Sequence, residues 1–149
     1  KRFTELPQPI QRQTWLQAYI RKEIAGMGMG EVFHLQCHRF GESADKQCLI
    51  HWQWSQQSTW TAMVDVANQA GEILSRESFD RAGRLLGLLP YNQSRLLIME
   101  RGIQQGDDVT CCPSGKQIET YLWSAAGLTP ISSTLLDKKL AAQIEREQE

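Results

Sequence analysis

The chain of 149 residues is 41% apolar and 22% charged with a net charge of −1, the profile of one packed domain and not of a disordered segment. Near-neutral charge argues against a nucleic-acid or membrane-surface protein driven by bulk electrostatics. No run approaches the ~20 apolar residues of a membrane span, no leader pattern opens the chain, and four cysteines are too few for a disulfide scaffold, so a reducing, cytoplasmic setting is expected.

Leu6-Pro-Gln-Pro9 is an extended entry, and Pro9 suits the first turn of a helix. Trp15, Leu16, Tyr19, Ile20 and Ile24 carry the i, i+4 rhythm of an amphipathic helix from Pro9 to about Ala25, stopped by the glycine-rich run Gly26–Gly30. Arg12, Arg21 and Lys22 make this helix locally basic. Glu31–Phe40 and Gln47–Trp54 then alternate with period two around a turn-like Gly41–Lys46 and read as a hairpin. Ser58–Val66 and Glu72–Arg76 could also stripe a helix. The β-branched and aromatic residues Thr59, Trp60, Thr61, Val64 and Val66 favour two strands about a turn at Asn68–Gly71.

Ser78 as N-cap, Asp80 in the first turn and Leu85, Leu86 and Leu89 on one face predict a short helix before Pro90. Ser94–Arg101 reads as a buried strand, with Asp107–Cys112 as its partner. Ser114-Gly-Lys-Gln117 has the form of a capping box, followed by Ile118, Tyr121, Leu122 and Ala125, with Gly127 at the stop and Pro130 beyond. That pattern predicts another helix. A last one, about Thr134 to Glu147, stripes Leu136, Leu140 and Ile144. The expected fold is therefore α+β, a mostly antiparallel sheet of about five to six strands flanked by N-terminal and C-terminal helices. Residues 1–130 form its single domain, and 131–149 a C-terminal amphipathic helix that faces a partner. In outline alone, with no motif behind it, this order resembles small secretion-chaperone folds.

The hairpin raises the question of a metal. HLQCHRFGESADKQCLIHWQW, His34–Trp54, holds every histidine of the chain and the H-x2-C and C-x2-H spacings of two half-sites. Register answers against it. Pairing Phe40 with Gln47 sets Cys37 opposite Ile50 and Arg39 opposite Cys48 on an apolar face, and puts His34, His38 and His51 on the other. Ligands on opposite faces of a sheet do not converge on one ion. His34 and His38 are themselves roughly 13 Å apart at ~3.3 Å per residue. No metal and no cofactor is expected, and the cysteines read as small core residues.

Cys112 precedes the predicted helix at Ser114 and is the one candidate nucleophile, but Ile118 stands where a phosphatase-like arginine belongs, and Gln117 where a phosphate loop needs Ser or Thr. Asp65 falls in mid-strand and reads as solvent-facing. Trp52 and Trp54 read as core, with an aromatic interaction surface as the alternative. The resulting expectation is a non-catalytic protein-binding domain: an adaptor, chaperone-like or regulatory factor. Its contact residues would be Leu136, Leu140 and Ile144 with Arg12, Arg21 and Lys22, and its partner another protein, with a homodimer as the simplest case. The alternatives are a cysteine-dependent enzyme using Cys112 and a nucleic-acid-associated regulator using the basic first helix.

Overall fold

A computed structural model describes residues 8, 12–24, 29–41, 45–56, 59–80, 83–109, 114–136 and 146–147. Within them the chain is mostly antiparallel β. One sheet carries β1 (Met29–Arg39), β2 (Lys46–Gln56), β3 (Thr59–Asn68) and β4 (Ile73–Asp80), and the other β5 (Gly83–Tyr91), β6 (Ser94–Ile103), β7 (Gly115–Ser124) and β8 (Gly127–Leu136), each in sequence order. A short helix, α1 (Thr14–Tyr19), runs into one π-helical turn, Ile20–Ile24.

Three layers follow from the period-two burial of the first sheet. One face of it, with Cys48, Ile50, Trp52 and Ala67, is covered by Trp15, Leu16, Tyr19 and Ile20 of the helix. The opposite face, with Leu49, Ala62, Val64, Val66 and Phe79, packs on Leu97, Met99, Tyr121 and Trp123 of the second sheet. β4 touches β5, β6 and β8, so it runs across the second sheet rather than along one strand of it.

The expected helix-flanked single sheet is thus replaced by a helix and two sheets, and the resemblance to small secretion-chaperone folds goes with it. The strands expected at 31–40, 47–54, 58–66, 72–76 and 94–101 all form. The helix expected from Ser78 to Leu89 is instead the end of β4 and most of β5. A β-bulge between Leu85 and Gly87 breaks the alternation, so that Leu85 and Leu88 both turn inward. The stripe Leu85, Leu86 and Leu89 that suggested a helix is thereby divided, with Leu85 inward and Leu86 and Leu89 exposed. Gly83 is required where it stands, because a Cβ there would lie 2.4 Å from Cβ of Phe79.

The helix expected from the capping box is β7. Ser114 caps nothing: its backbone N–H and hydroxyl both donate to the Asp108 carboxylate, at 2.7 and 2.8 Å. Glu119, Tyr121 and Trp123 are buried on the inner face while Ile118, Thr120 and Leu122 alternate outward, and β-branched and aromatic side chains suit that pleat. Gly127, expected as a helix stop, instead starts β8 after a two-residue turn, with φ of +93° and Ser75 Oγ where its Cβ would be. The strand expected over Asp107–Cys112 is a turn at its start, with Thr110 to Cys112 outside the described residues. β8 runs on through residue 131, and Leu136, expected within the C-terminal helix, is its last residue, paired with Lys116. Leu140 and Ile144 lie outside the described residues.

Candidate functional site

The hairpin pairs two residues away from the expected register: Cys37 faces Cys48 and His34 faces His51. From His34 to Arg39 the slip is even and keeps each side chain on its face, so the separation of cysteines from histidines stands while the pairs change. The consequence for the cysteines is large. They are joined as a disulfide, with Cα atoms 4.0 Å apart, and are not the free core thiols expected. A disulfide persists in oxidising surroundings and removes the basis on which a reducing, cytoplasmic setting was expected.

The histidines lie on the face turned toward the second sheet. A bulge between Val32 and His34 swings Phe33 outward, leaving it 44% exposed and 5.2 Å, ring to ring, from His51. Here the edge strands β1 and β5 enclose a cleft of about 400 Å³, within the range of small-molecule sites. β1 supplies Phe33 and His34, β2 His51 and Gln53, and β5 Gly83, Arg84 and Leu85. A second hollow of about 360 Å³ opens at the other end of β1, around His38, Phe40, Pro90 and Arg95. Between the two, Gln36 links the histidines of its own strand, with His34 Nε2 3.1 Å from Gln36 Oε1 and Gln36 Nε2 2.7 Å from His38 Nε2.

Partner chemistry fixes the protons. An amide oxygen only accepts, so neutral His34 carries its hydrogen on Nε2. An amide NH2 donates, so His38 accepts at Nε2 and carries its hydrogen on Nδ1. His51 Nε2 lies 3.1 Å from the backbone oxygen of Gly83 and must donate to it. Burial pushes the His51 pKa down to about 4, and nearby His34 adds to this against the Gly83 hydrogen bond. Burial, then Arg95 and Lys46, lowers that of His38. These two rings are therefore neutral at physiological pH. Arg84 is committed to Glu100 at 3.2 Å, and Gln53 Nε2 to Glu31 Oε2 at 3.5 Å.

Elsewhere in the sandwich buried polar groups pair with one another. Arg101 forks onto Glu119 at 2.7 and 3.1 Å, donates to the backbone oxygen of Ser78 at 2.8 Å, and lies 4.3 Å from the centre of the Phe79 ring. Tyr121 completes this knot with a 2.8 Å bond to Glu119. Burial raises the Glu119 pKa, but the hydrogen bonds from Arg101 and Tyr121 outweigh it and hold the carboxyl below its usual value. Gln47 accepts from Trp123 Nε1 at 3.0 Å and donates to the backbone oxygen of Ala125 at 2.7 Å.

The residues expected to bind a partner do not meet here. Arg12, Arg21 and Lys22 are exposed, on or beside the helix that covers the far face of the first sheet. Leu136 ends β8, and Cys112 lies outside the described residues. Asp65, expected on a solvent face, is fully buried. Among the described residues no cluster of three or more His, Cys, Asp or Glu is placed to hold a metal ion, and no helix is long and apolar enough to cross a membrane. The shared face of the three histidines was legible in the hairpin. Gly83, Arg84 and Leu85 were hidden by the helix expected over them. No protein-family model, no curated protein and no solved structure matches the chain.

Proposed function

We propose that the domain acts by binding, without a catalytic step of its own, and that its ligand site is the cleft between β1 and β5. The observation that carries this reading is the cleft itself: Phe33 and Leu85 beside the imidazoles of His34 and His51, in about 400 Å³. An apolar wall with a few fixed polar groups is the make-up of a small-molecule site. The hydrogen bonds of His34, His38 and His51 run to amide and peptide groups, which orient a ring but take no proton from it, and this supports binding over acid–base chemistry. A small-molecule fragment screen followed by amide chemical-shift mapping tests the reading. Shifts centred on Phe33, His34, His51 and Gly83–Leu85 support it, and shifts confined to other surfaces reject it.

A second reading, an adaptor or regulatory domain that binds protein, is favoured by the outer face of the second sheet. Leu89 pairs with Leu96 and Leu96 with Leu122 on that face, and Leu86, Leu89 and Tyr91 are 43%, 48% and 52% exposed. Large exposed apolar side chains in one patch mark interaction surfaces. If this face joins two copies, Leu89→Asp converts a dimer to a monomer in light scattering. A wild-type monomer at high concentration removes the homodimer.

A further inference from the structure

We propose that the cleft is an acceptor-lined site, which selects an apolar-bodied ligand presenting N–H or O–H donors and discriminates against carboxylates. The inference rests on the binding reading above and names the ligand class for that same cleft.

The argument is one of counting protons. With a neutral ring, His51 and His34 each use the one N–H on a protein oxygen, Gly83 and Gln36 respectively, both at 3.1 Å. What remains on each ring is the bare Nδ1 lone pair, and neither has a partner among the described residues. The two residues stand directly opposite one another in the hairpin and line the same cleft. Gln53 also lines it, and because its NH2 is directed at Glu31, its carbonyl oxygen is a third acceptor. The cationic lining residue, Arg84, is paired with Glu100, a carboxylate that it shares with Lys116. Burial keeps His51 uncharged near neutral pH, so its lone pair is available there. A ligand that offers only acceptors would set lone pair against lone pair and leave both sides without the water they gave up. A ligand with a donor edge on an aromatic body meets the acceptors while its ring lies against Phe33 and Leu85.

Benzamidine and benzoate share a ring and differ in whether the polar edge donates or accepts, but they also carry opposite charge at pH 7. Phenol and anisole, both uncharged and differing in the O–H, are therefore the neutral control, in which phenol must bind tighter. Binding to the intact protein at pH 7 is followed by chemical shifts, with long-range 1H–15N correlations reporting the histidine ring nitrogens. Benzamidine is expected to bind about tenfold or more tighter than benzoate, a difference of one or two hydrogen bonds. It is also expected to shift the Nδ1 signals of His34 and His51. His34→Phe should remove much of this preference, with the amide spectrum showing that the fold is kept. If His34→Phe does not fold, Gln53→Leu, which removes the third acceptor without adding charge, should instead weaken benzamidine binding and leave benzoate binding unchanged. Equal affinity of both probes in the cleft, or a preference for benzoate, overturns the donor inference and leaves the binding reading standing. No perturbation of the cleft by either probe rejects both.

Discussion

Tyr19 donates its phenol hydrogen to the carboxylate of Asp65, joining the short helix to the middle of the first sheet. The same carboxylate accepts from Trp52 Nε1 at 3.0 Å and from Arg76 at 2.7 and 2.9 Å. Asp65 is therefore a fully buried anion with four donors, which is the condition under which a buried charge is tolerated.

The first prediction concerns this knot. Tyr19→Phe removes one charge-assisted bond and should lower stability by about 2 kcal/mol. Asp65→Ala leaves the Arg76, Trp52 and Tyr19 donors together without their acceptor and should cost about 3–5 kcal/mol. Denaturant unfolding measures both. Equal and small losses would mean that the helix is held by its apolar face alone.

The second prediction concerns the disulfide. Cys37 and Cys48 are separated by 11 residues, and closing so short a loop restricts the unfolded chain by an amount worth about 2–3 kcal/mol. Unfolding with and without a reductant, at fixed pH, should differ by that much, and the Cys37→Ser, Cys48→Ser double variant should match the reduced protein. Alkylation of both thiols in the unreduced, denatured protein would show that the bond does not form.

The third prediction is a pH dependence. The folded pKa of His51 lies at about 4, below the ordinary 6.5, because burial disfavours its charged form. The unfolded chain therefore takes up a proton that the folded chain refuses throughout that window. The stability contributed by neutral His51 is full above pH 6.5 and is lost as pH falls toward 4. At about 1.4 kcal/mol per pH unit the total is on the order of 3 kcal/mol. His38, also lowered, acts in the same direction. Glu119, held below 4.5, keeps its contribution until the pH falls further. His51→Gln preserves a donor toward Gly83 and cannot titrate, so it should flatten the slope between pH 6.5 and 4. An unchanged slope would place the titrating group elsewhere.

How much of this was legible in the sequence turns on single residues that break a period. The first hairpin was readable because it alternates over most of its length, and the two strands after it because β-branched and aromatic residues decided against a helix. The faces of the histidines survived an error in register because that error was an even number of residues. The disulfide did not survive it, since two residues decide whether Cys37 meets Ile50 or Cys48. β5 was lost because Leu85, Leu86 and Leu89 stripe like a helix, whereas in the strand a bulge sets Leu85 and Leu88 inward and leaves Leu86 and Leu89 exposed. β7 was lost to Ser114, whose capping groups are taken by Asp108 six residues earlier. Asp65 was misplaced because alternation says which face a residue shares, not what covers that face.

The last prediction is the proton arrangement along β1, on which the character of the cleft depends. Gln36 sits between His34 and His38 with its oxygen toward the first and its nitrogen toward the second. That orientation makes His34 an Nε2–H ring and His38 an Nδ1–H ring, two different tautomers on one strand. Reversing the amide would exchange them, and His34 would then carry a donor at Nδ1 instead of a lone pair. Long-range 1H–15N correlation at pH 8, where neutral rings dominate, should resolve Nε2–H for His34 and His51 and Nδ1–H for His38. Gln36→Leu removes the constraint, and both strand histidines should then drift toward a mixture of tautomers while His51, held by Gly83, stays as it is. An Nδ1–H signal from His34 in the wild type would mean that the amide stands the other way, and the acceptor lining of the cleft would fall to His51 and Gln53 alone.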